Sequence, residues 1–336
     1  MGKEEYEQLI LEKHKAELNF DSRVCKGARL TDISKEKLMA FVKKAKQERG
    51  LDIKSDASVT GILNRLKLTK DKKLTNAAVL LFGKDPQDFF LQAELKAIRF
   101  RGYDETGEMT DFKTIGADAI TLLERAENFI FDHIPMKAWI ESGKLQRQEK
   151  WLYPQKAIRE ALANALAHRD YKSTGKVQVR IFDDRLEIWN PGRLPPELTV
   201  EKLKRTHDSI PPNPLIARAF FWIRYAEEVG TGTNKIVQWC KAWGLPEPKY
   251  EEAGGSFVVT FRASRFSGDD LASMGLNERQ MQAVQLVKER GAISVIDLKQ
   301  IFAGVTRKTL YRDLQILVEK GILKAQGTTK GRRYSF

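Results

Sequence analysis

Hydrophobic and polar residues along the first part of the chain follow patterns that predict both helices and strands. Residues 33–49 and 59–66 carry apolar side chains at helical spacing. The continuous apolar run at 77–82, which ends at a glycine, predicts a buried strand. Residues 95–101 alternate like a second strand, and 114–139 are predicted to form a long helix. The order of these elements indicates an α+β region.

The middle of the chain again combines helical and strand-like patterns. Pro154 is placed to open a helix, and two short alternating runs around the Asp-Asp pair at 183–184 are typical of a β-hairpin. A helix at 214–225, a glycine-rich turn, a helix at 236–243 and a strand at 255–261 follow. This order predicts an α/β sandwich in which helices cover one face of a mixed sheet.

The C-terminal part of the chain predicts a winged helix-turn-helix. Residues 263–275 hold Ser, Gly and Asp with little apolar pattern, so we predict a linker there. Helices at 277–290, 296–302 and 306–319 follow, and two short strands after them would form the wing. The predicted domains are an α+β connector region at 1–145, an α/β domain at 146–264 and the winged helix-turn-helix at 265–336.

Composition narrows the class of protein. The 336 residues carry a net charge of +13, which favours a polyanionic partner, double-stranded DNA first; a basic, solubilising surface is the alternative. Residues 265–336 contain 13 Lys and Arg against 7 Asp and Glu, a net charge of +6. Two cysteines are too few for a disulfide framework or a structural zinc site. The sequence shows no signal peptide and no apolar run long enough to span a membrane, so a cytoplasmic location without a membrane partner is expected.

A stripe of polar residues marks the helix predicted after Pro154. Glu160, Asn164 and His168 recur every four residues and lie on one helix face, among alanines that let a large group approach closely. An asparagine oxygen can bind Mg²⁺ that holds ligand phosphates, and a glutamate one turn earlier can orient or deprotonate water. This chemistry would make Glu160 the catalytic residue and Asn164 the Mg²⁺ ligand, with His168 on the same stripe, but the Glu-x-x-x-Asn spacing alone also occurs by chance in many helices.

Two later motifs suit the same chemistry. Asn190 and Gly192 stand at a predicted strand end, where a flat base can be recognised. The stretch Gly230-Thr231-Gly232-Thr233 precedes a helix, so its backbone amides and the helix dipole can bind phosphates. The alternative for this stretch is an ordinary capped helix N-terminus. The three motifs together predict a nucleotide site.

In this order the motifs resemble the N box and the glycine boxes of the GHKL ATPase superfamily. The sequence resembles more closely the bacterial and archaeal Schlafen AlbA-2 domain transcriptional regulators, or RecG-like ATP-binding proteins. The resemblance spans about residues 70–261, and its most specific piece is the His-Arg-Asp-Tyr end of 159–171. The other segments that carry it are 74–83, 190–192, 213–217 and 230–232.

The resemblance implies a GHKL-like (Bergerat-type) sandwich that binds ATP and Mg²⁺. In it Glu160 activates water, Asn164 binds Mg²⁺ and the loop at Gly230 covers the phosphates. The connector region begins the chain, so the family's N-terminal AlbA-2 domain is expected to be missing.

The sequence differs from the superfamily pattern at the first glycine box. Asn190 replaces the aspartate that binds the adenine amino group, although an amide oxygen can accept the same hydrogen bond. Arg193 follows Gly192 where another glycine is common. These differences favour ATP binding over fast turnover.

The last predicted helix is expected to recognise DNA. In winged helices its N-terminal part enters the major groove, where Arg suits guanine edges and Lys suits phosphates. The predicted DNA contacts are Thr306, Arg307, Lys308, Thr309 and Arg312 on the helix and Lys330, Arg332 and Arg333 on the wing. A winged helix that docks onto protein is the alternative, and the positive charge on both elements argues against it.

These observations lead to one main hypothesis and two alternatives. In the main hypothesis the chain is an ATP-binding regulator, expected as a homodimer, in which nucleotide state changes how the winged helices bind double-stranded DNA. The first alternative is an ATP hydrolase that acts with nucleic acid, for example in phage defence. The second is a scaffold with a degenerate nucleotide pocket.

Overall fold

The computed structural model describes residues 19–53, 57–140, 147–194, 198–204, 211–227, 232–262, 274–327 and 331–335. Within these ranges, contacts divide the chain into two compact units, with the boundary between residues 263 and 264. Each unit has its own hydrophobic core. Most of the predicted linker, residues 263–273, lies outside the described residues.

The first unit opens with short helices that pack around apolar side chains. Helix α1 (Lys35–Arg49) is capped by Ser34, whose hydroxyl accepts a hydrogen bond from a backbone N–H of the first turn. Helix α2 (Val59–Arg65) leads to an antiparallel pair of short strands, β1 (Thr69–Lys70) and β2 (Lys73–Leu74). The predictions of helices near 33–49 and 59–66 are confirmed.

The apolar run at 77–82 forms a helix, so the prediction of a strand is wrong. Helix α3 (Asn76–Phe82) is capped by Thr75, whose hydroxyl accepts a hydrogen bond from the Ala78 N–H at 3.3 Å. All of its residues are buried. A helix that is apolar on every side leaves the same continuous run in the sequence as a buried strand, so periodicity alone does not separate them.

Strands from both sides of residue 146 form one mixed sheet, called the main sheet below. Among the described residues its strand order is β4-β3-β7-β8-β10-β9. Strand β3 pairs parallel with β7, whereas the other neighbours pair antiparallel. Strand β5 pairs with β6 outside this sheet. The strands are β3 (Glu94–Phe100), β4 (Met109–Gly116), β5 (Met136–Ile140), β6 (Arg147–Trp151), β7 (Val177–Ile181), β8 (Arg185–Pro191), β9 (Lys249–Ala253) and β10 (Ser256–Arg262).

Residues 114–139 contain strand, helix and strand, so the prediction of one long helix holds only for its centre. Strand β4 extends to Gly116, and helix α4 (Ala119–His133) begins after Asp118. The Asp118 carboxylate accepts hydrogen bonds from two backbone N–H groups of the first turn, at 3.1 and 3.0 Å. Strand β5 starts three residues after α4 ends. The cap and the strand pairing therefore set these boundaries.

One face of the main sheet packs on α4 and on α5 (Gln155–Ala167), and α7 (Gly232–Ala242) packs on α5. Alternate strand residues enter the same core as these helices, because side chains on a strand point to opposite faces in turn. They are Leu95, Ala97, Val177, Val179, Ile181, Leu186, Ile188, Val259 and Phe261. The predicted α/β class, with helices packed on a mixed sheet, is confirmed.

A residue distant in sequence caps helix α6 (Pro214–Trp222). The Asp21 carboxylate oxygen Oδ2 accepts hydrogen bonds from the backbone N–H groups of Leu215 at 2.6 Å and Ile216 at 3.2 Å. Asp21 is fully buried, and burial raises its pKa to about 6 although both hydrogen bonds act in the opposite direction.

The second unit has the winged helix-turn-helix order predicted from the sequence. The core stripe of its third helix, Leu310, Leu314 and Leu317, is fully buried as predicted. Strand β12 pairs with β13 as the wing, and β11 pairs with the other side of β13. The elements are α8 (Glu278–Arg290), β11 (Ala292–Ile293), α9 (Val295–Ile301), α10 (Arg307–Glu319), β12 (Lys324–Gln326) and β13 (Arg333–Ser335).

Helix α10 is fixed to the start of α8 by a buried carboxylate. Asp313 is 4% exposed and accepts hydrogen bonds from Asn277 Nδ2 at 3.1 Å, Arg279 Nε at 2.7 Å and Gln280 Nε2 at 3.4 Å. No helix in the described ranges is long and apolar enough to cross a membrane.

Candidate functional site

Glu160 and Asn164 lie side by side on α5. Asn164 Nδ2 donates a hydrogen bond to Glu160 Oε1 at 3.3 Å. This bond uses the amide nitrogen of Asn164 and not its amide oxygen. Glu160 is only 4% exposed, because α5 is buried on nearly every side. The helix thus presents a carboxylate and an amide together in a protected position.

The first residue of α7 packs directly on this pair. A Cβ atom built on Gly232 would overlap Glu160 Oε1 and would lie 3.4 Å from Asn164 Nδ2. Only glycine lets the α7 backbone come this close to the carboxylate without displacing it. A side chain at position 232 would therefore displace the Glu160 carboxylate.

The surroundings of Glu160 favour its neutral form. Burial raises the pKa of Glu160 to about 7, while the hydrogen bond from Asn164 acts in the opposite direction. The carboxylate of Glu227 also raises this pKa, and the Lys235 ammonium lowers it. The Glu227 backbone N–H donates a hydrogen bond to the Glu160 carboxyl group.

Asn190 and Gly192 meet the C-terminal end of α5. A side chain on Gly192, whose φ is +153°, would lie 3.3 Å from the His168 carbonyl oxygen and 3.4 Å from the Asp170 backbone nitrogen. Asn190 is buried, and its Oδ1 has no hydrogen-bond donor within reach among the described residues. A buried acceptor without a donor is costly, and an amino group from a ligand would supply one.

His168 is the C-terminal cap of α5. Its backbone N–H donates to the Asn164 carbonyl oxygen at 2.8 Å, and its side chain is half-buried. The His168 backbone therefore lies beside Gly192. Glu160, about two turns before His168 on α5, lies instead beside the start of α7.

Two residues that hold this end of α5 were not predicted as site residues, although both lie in segments that carry the family resemblance. Arg169 is 1% exposed, and its Nη1 donates to the Gln92 carbonyl oxygen at 2.6 Å. Asn213 Nδ2 donates to the carbonyl oxygens of Ala167 at 2.9 Å and Arg169 at 2.7 Å. The bond to Ala167 satisfies a carbonyl group that the end of α5 leaves free. No periodic pattern marks a buried arginine, although Asn213 directly before the Pro214 helix start was a visible signal.

Thr233 belongs to the contact between α7 and its neighbours. Its hydroxyl donates to the Leu203 carbonyl oxygen at 2.8 Å, and its own carbonyl oxygen accepts from the Tyr250 hydroxyl at 3.2 Å. Gly230 and Thr231, which the sequence places in the same site, lie outside the described residues. The described members of the predicted site thus form two contacts, Glu160–Asn164–Gly232 and Asn190–Gly192–His168.

The side chains of Glu160, Asn164 and Asn190 offer the oxygen atoms that Mg²⁺ and a nucleotide base need. In the described ranges no group of three or more His, Cys, Asp and Glu side chains could hold a metal ion by itself. Mg²⁺ in phosphate sites takes few protein ligands, because phosphates and water complete its shell. The oxygen atoms of Asn164 and Glu160 and the unmet acceptor on Asn190 therefore fit the predicted groups.

The predicted recognition helix exposes its basic residues. Arg307, Lys308 and Arg312 are exposed on α10, and Thr309 is half-buried. The Thr306 hydroxyl caps the helix, accepting from the Thr309 N–H at 3.2 Å. Cations therefore stand at and near the N-terminal end of α10.

The wing adds basic residues next to α10. Arg332 Nη1 donates to the Tyr311 hydroxyl at 2.9 Å, which links the wing to α10. Arg333 is exposed and its Nη2 donates to the Ala292 carbonyl oxygen at 3.2 Å. Lys330 lies outside the described residues.

Family models match separate segments of the chain. Residues 175–261 match the family described as "Putative ATP-dependent DNA helicase recG C-terminal", and 279–329 match the DeoR-like helix-turn-helix domain. Residues 8–95 match a domain of unknown function (DUF8451). The first match includes Asn190 and Gly192 but begins after α5. The chain therefore carries an ATPase-like domain followed by a helix-turn-helix domain.

The fold has a counterpart among solved structures. The DIP2311 protein from Corynebacterium diphtheriae aligns with 97% of this chain and 66% of its own length, with a TM-score of 0.59 and 18% sequence identity. This chain thus spans slightly less than two thirds of that protein, and the likeness concerns the fold alone. No curated protein sequence is significantly similar to the chain.

Proposed function

We propose that this protein is an ATP-binding regulator that binds double-stranded DNA through its helix-turn-helix, with nucleotide state at a GHKL-like site altering DNA binding. The observation that carries the nucleotide part is the buried Glu160–Asn164 pair against the α7 backbone. The match of 175–261 to an ATPase-like family supports the same assignment. In this proposal the chain is a relative of the Schlafen AlbA-2 and RecG-like regulators and acts as a homodimer in the cytoplasm.

The residues have separate tasks in this proposal. Asn190 Oδ1 accepts a hydrogen bond from the adenine amino group, which supplies the donor that it lacks. The Asn164 amide oxygen holds Mg²⁺, and the ion supplies positive charge to the phosphates. Gly232 and Thr233 begin α7, and the free backbone N–H groups at a helix N-terminus can donate hydrogen bonds to phosphates. His168 and Gly192 shape the base side of the site, together with the loop that contains Gly230 and Thr231.

The DNA part of the proposal rests on α10 and the wing. Arg307, Lys308 and Arg312 are exposed on the element that enters the major groove in helix-turn-helix proteins, and Thr306 and Thr309 stand at its N-terminus. Arg332, Arg333 and Lys330 on the wing suit backbone contacts. The net charge of +6 over 265–336 adds attraction to any duplex.

One experiment tests each half of the proposal. Mg-ATP at millimolar concentration should raise the melting temperature of the full chain, since a ligand that binds only the native state stabilises it. An unchanged melting temperature would contradict nucleotide binding and leave only the hypothesis of a scaffold with a degenerate pocket. DNA affinity should fall steeply with salt and be lost in the double variant Arg307→Ala, Arg312→Ala. DNA affinity that survives deletion of 265–336 would contradict the role of the helix-turn-helix.

A second candidate function is ATP hydrolysis coupled to nucleic acid, as in phage defence. It is favoured by the position of Glu160, whose carboxyl group contacts Asn164 and is shielded from bulk water. Steady phosphate release that Glu160→Gln abolishes, without loss of Mg-ATP binding, would support this function. Binding without release would favour the regulator.

A further inference from the structure

Arg49, Glu227 and Lys235 form a charged cluster beside the Glu160–Asn164 pair. Lys235 Nζ lies 3.2 Å from Glu227 Oε1, and Arg49 Nη2 lies 3.6 Å from Glu227 Oε2. Glu227 therefore stands between two cations that come from different helices, α1 and α7. We call these three residues the charge cluster.

The charge cluster adjoins the proposed nucleotide site through backbone contacts. Lys235 is in the first turn of α7, three residues after Gly232, whose backbone packs on Glu160. The Glu227 backbone N–H donates a hydrogen bond to the Glu160 carboxyl group. The Glu227 carboxylate raises the pKa of Glu160 and the Lys235 ammonium lowers it. An anion beside Glu160 and Asn164 would therefore meet Lys235 as a nearby cation.

The two ion pairs of the cluster differ in how firmly their cation is held. The side chains of Glu227 and Lys235 are 33% and 36% exposed, and a pair so open to water contributes little stability. Arg49 is held independently, since its Nε donates to the Phe221 carbonyl oxygen at 2.7 Å and its guanidinium stacks 3.7 Å from the Phe221 ring centroid. Lys235 can thus exchange partners at low cost, whereas Arg49 stays beside Glu227.

We propose that Lys235 binds the phosphates of the nucleotide and that Glu227 competes with those phosphates for its ammonium group. This inference rests on the proposed function and names a residue that discriminates nucleotides by phosphate charge. A polyphosphate carries more negative charge than a carboxylate and offers more acceptor oxygens, so it wins the ammonium group when present. Arg49 then neutralises the Glu227 carboxylate that Lys235 has left.

The test measures affinities of the full chain for Mg-ATP and for adenosine by calorimetry. Lys235→Met should weaken Mg-ATP binding by about tenfold or more and leave adenosine binding unchanged, because only the former offers phosphates. Lys235→Arg should retain most of the Mg-ATP affinity. Lys241→Met, an exposed lysine in the last turn of the same helix, is the matched control and should bind Mg-ATP like the parent.

A double-mutant cycle isolates the competition. Glu227→Gln should strengthen Mg-ATP binding severalfold, and this gain should vanish in the Lys235→Met background. An equal gain in both backgrounds would mean that the Glu227 carboxylate repels the phosphates directly and does not compete for Lys235, and would overturn the proposal. Parent-like Mg-ATP affinity in Lys235→Met would also overturn it, as would an equal loss for adenosine. Failure of the parent chain to bind either ligand would refute the proposed function itself.

Discussion

Gly232 and Glu160 touch where α7 begins beside α5, and this contact sets the cost of any side chain at position 232. Gly232→Ala should lower the free energy of unfolding, because the new methyl group displaces the Glu160 carboxylate at a cost of about 1–3 kcal/mol. Alanine also forms helices better than glycine by about 1 kcal/mol, which limits the net loss to at most about 2 kcal/mol. Urea denaturation of the full chain measures the change.

A second substitution identifies the cause of that loss. In a Glu160→Ala background the carboxylate is gone, so Gly232→Ala should cost clearly less than in the parent. If the cost is equal in both backgrounds, the close approach to Glu160 does not explain it.

Asp21 predicts a pH dependence of stability. Its pKa is about 6 in the folded chain and near 3.8 in the unfolded chain, so the folded state binds more protons between these values. The free energy of unfolding due to this group therefore falls as pH rises from 4 to above 6. Asp21→Asn cannot titrate and retains an acceptor for the Leu215 and Ile216 N–H groups.

The stability of Asp21→Asn relative to the parent should accordingly rise by on the order of 2 kcal/mol between pH 4 and pH 7. Denaturation of both proteins across this range measures the difference, in which the other titrating groups cancel. Asp52→Asn, whose side chain is 93% exposed, is the control. A pH-independent difference for Asp21→Asn would show that Asp21 titrates alike in both states.

For individual residues, the sequence predicted contacts between side chains of one helix but not contacts between distant segments of the chain. The four-residue spacing of Glu160 and Asn164 is enough to bring them together, because a helix fixes that geometry. Asp21 reaches Leu215 from 194 positions away, and Arg169 is buried among carbonyl groups of distant segments. Such contacts depend on tertiary packing, which no local pattern reports.

Among the elements, the junction of α8 and α10 depends on one carboxylate. Asp313→Ala would leave the donors of Asn277, Arg279 and Gln280 without their acceptor. We expect the second unit to lose about 2–3 kcal/mol of its free energy of unfolding, a value reduced by the partial exposure of Arg279.

Hydrogen exchange read by mass spectrometry localises that effect. Protection of amides in α8 and α10 should fall in Asp313→Ala, while the helices of the first unit remain as protected as in the parent. Glu319→Gln, an exposed acid at the end of α10, should leave exchange unchanged. Equal loss of protection in both units would contradict a local role for Asp313.

Elements with strong local signals were predicted well, and those decided by context were not. Helix α10 has a cap at Thr306 and a regular apolar stripe, so its start and its buried face follow from the sequence. Helix α3 has no polar face, which removes the signal that separates helix from strand. Strands β4 and β5, at the two ends of 114–139, are fixed by pairing with β3 and β6, and the local pattern does not report this pairing.

For the molecule as a whole, the proposed regulation predicts a reciprocal effect. If Mg-ATP changes DNA affinity by some factor, DNA must change Mg-ATP affinity by the same factor, since both describe one thermodynamic cycle. We expect a factor of about 5 or more. Fluorescence anisotropy with labelled duplex, with and without saturating Mg-ATP, gives one side of the cycle, and calorimetry gives the other.

One outcome would contradict the proposed regulation. Equal DNA affinity with and without Mg-ATP, when each ligand binds by itself, would mean that the two units act independently. The Arg307→Ala, Arg312→Ala variant serves as control, because it should bind Mg-ATP like the parent and show no change on adding DNA.

The parallel pairing of β3 with β7 has a practical consequence for dissecting the protein. A fragment that starts at residue 146 would keep α5 and the hairpin of β7 and β8 but lose β3 and β4. The edge of β7 would then present unpaired N–H and C=O groups beside uncovered Val177 and Val179. Such a fragment is expected to aggregate, so the nucleotide site is best studied with the whole of the first unit present.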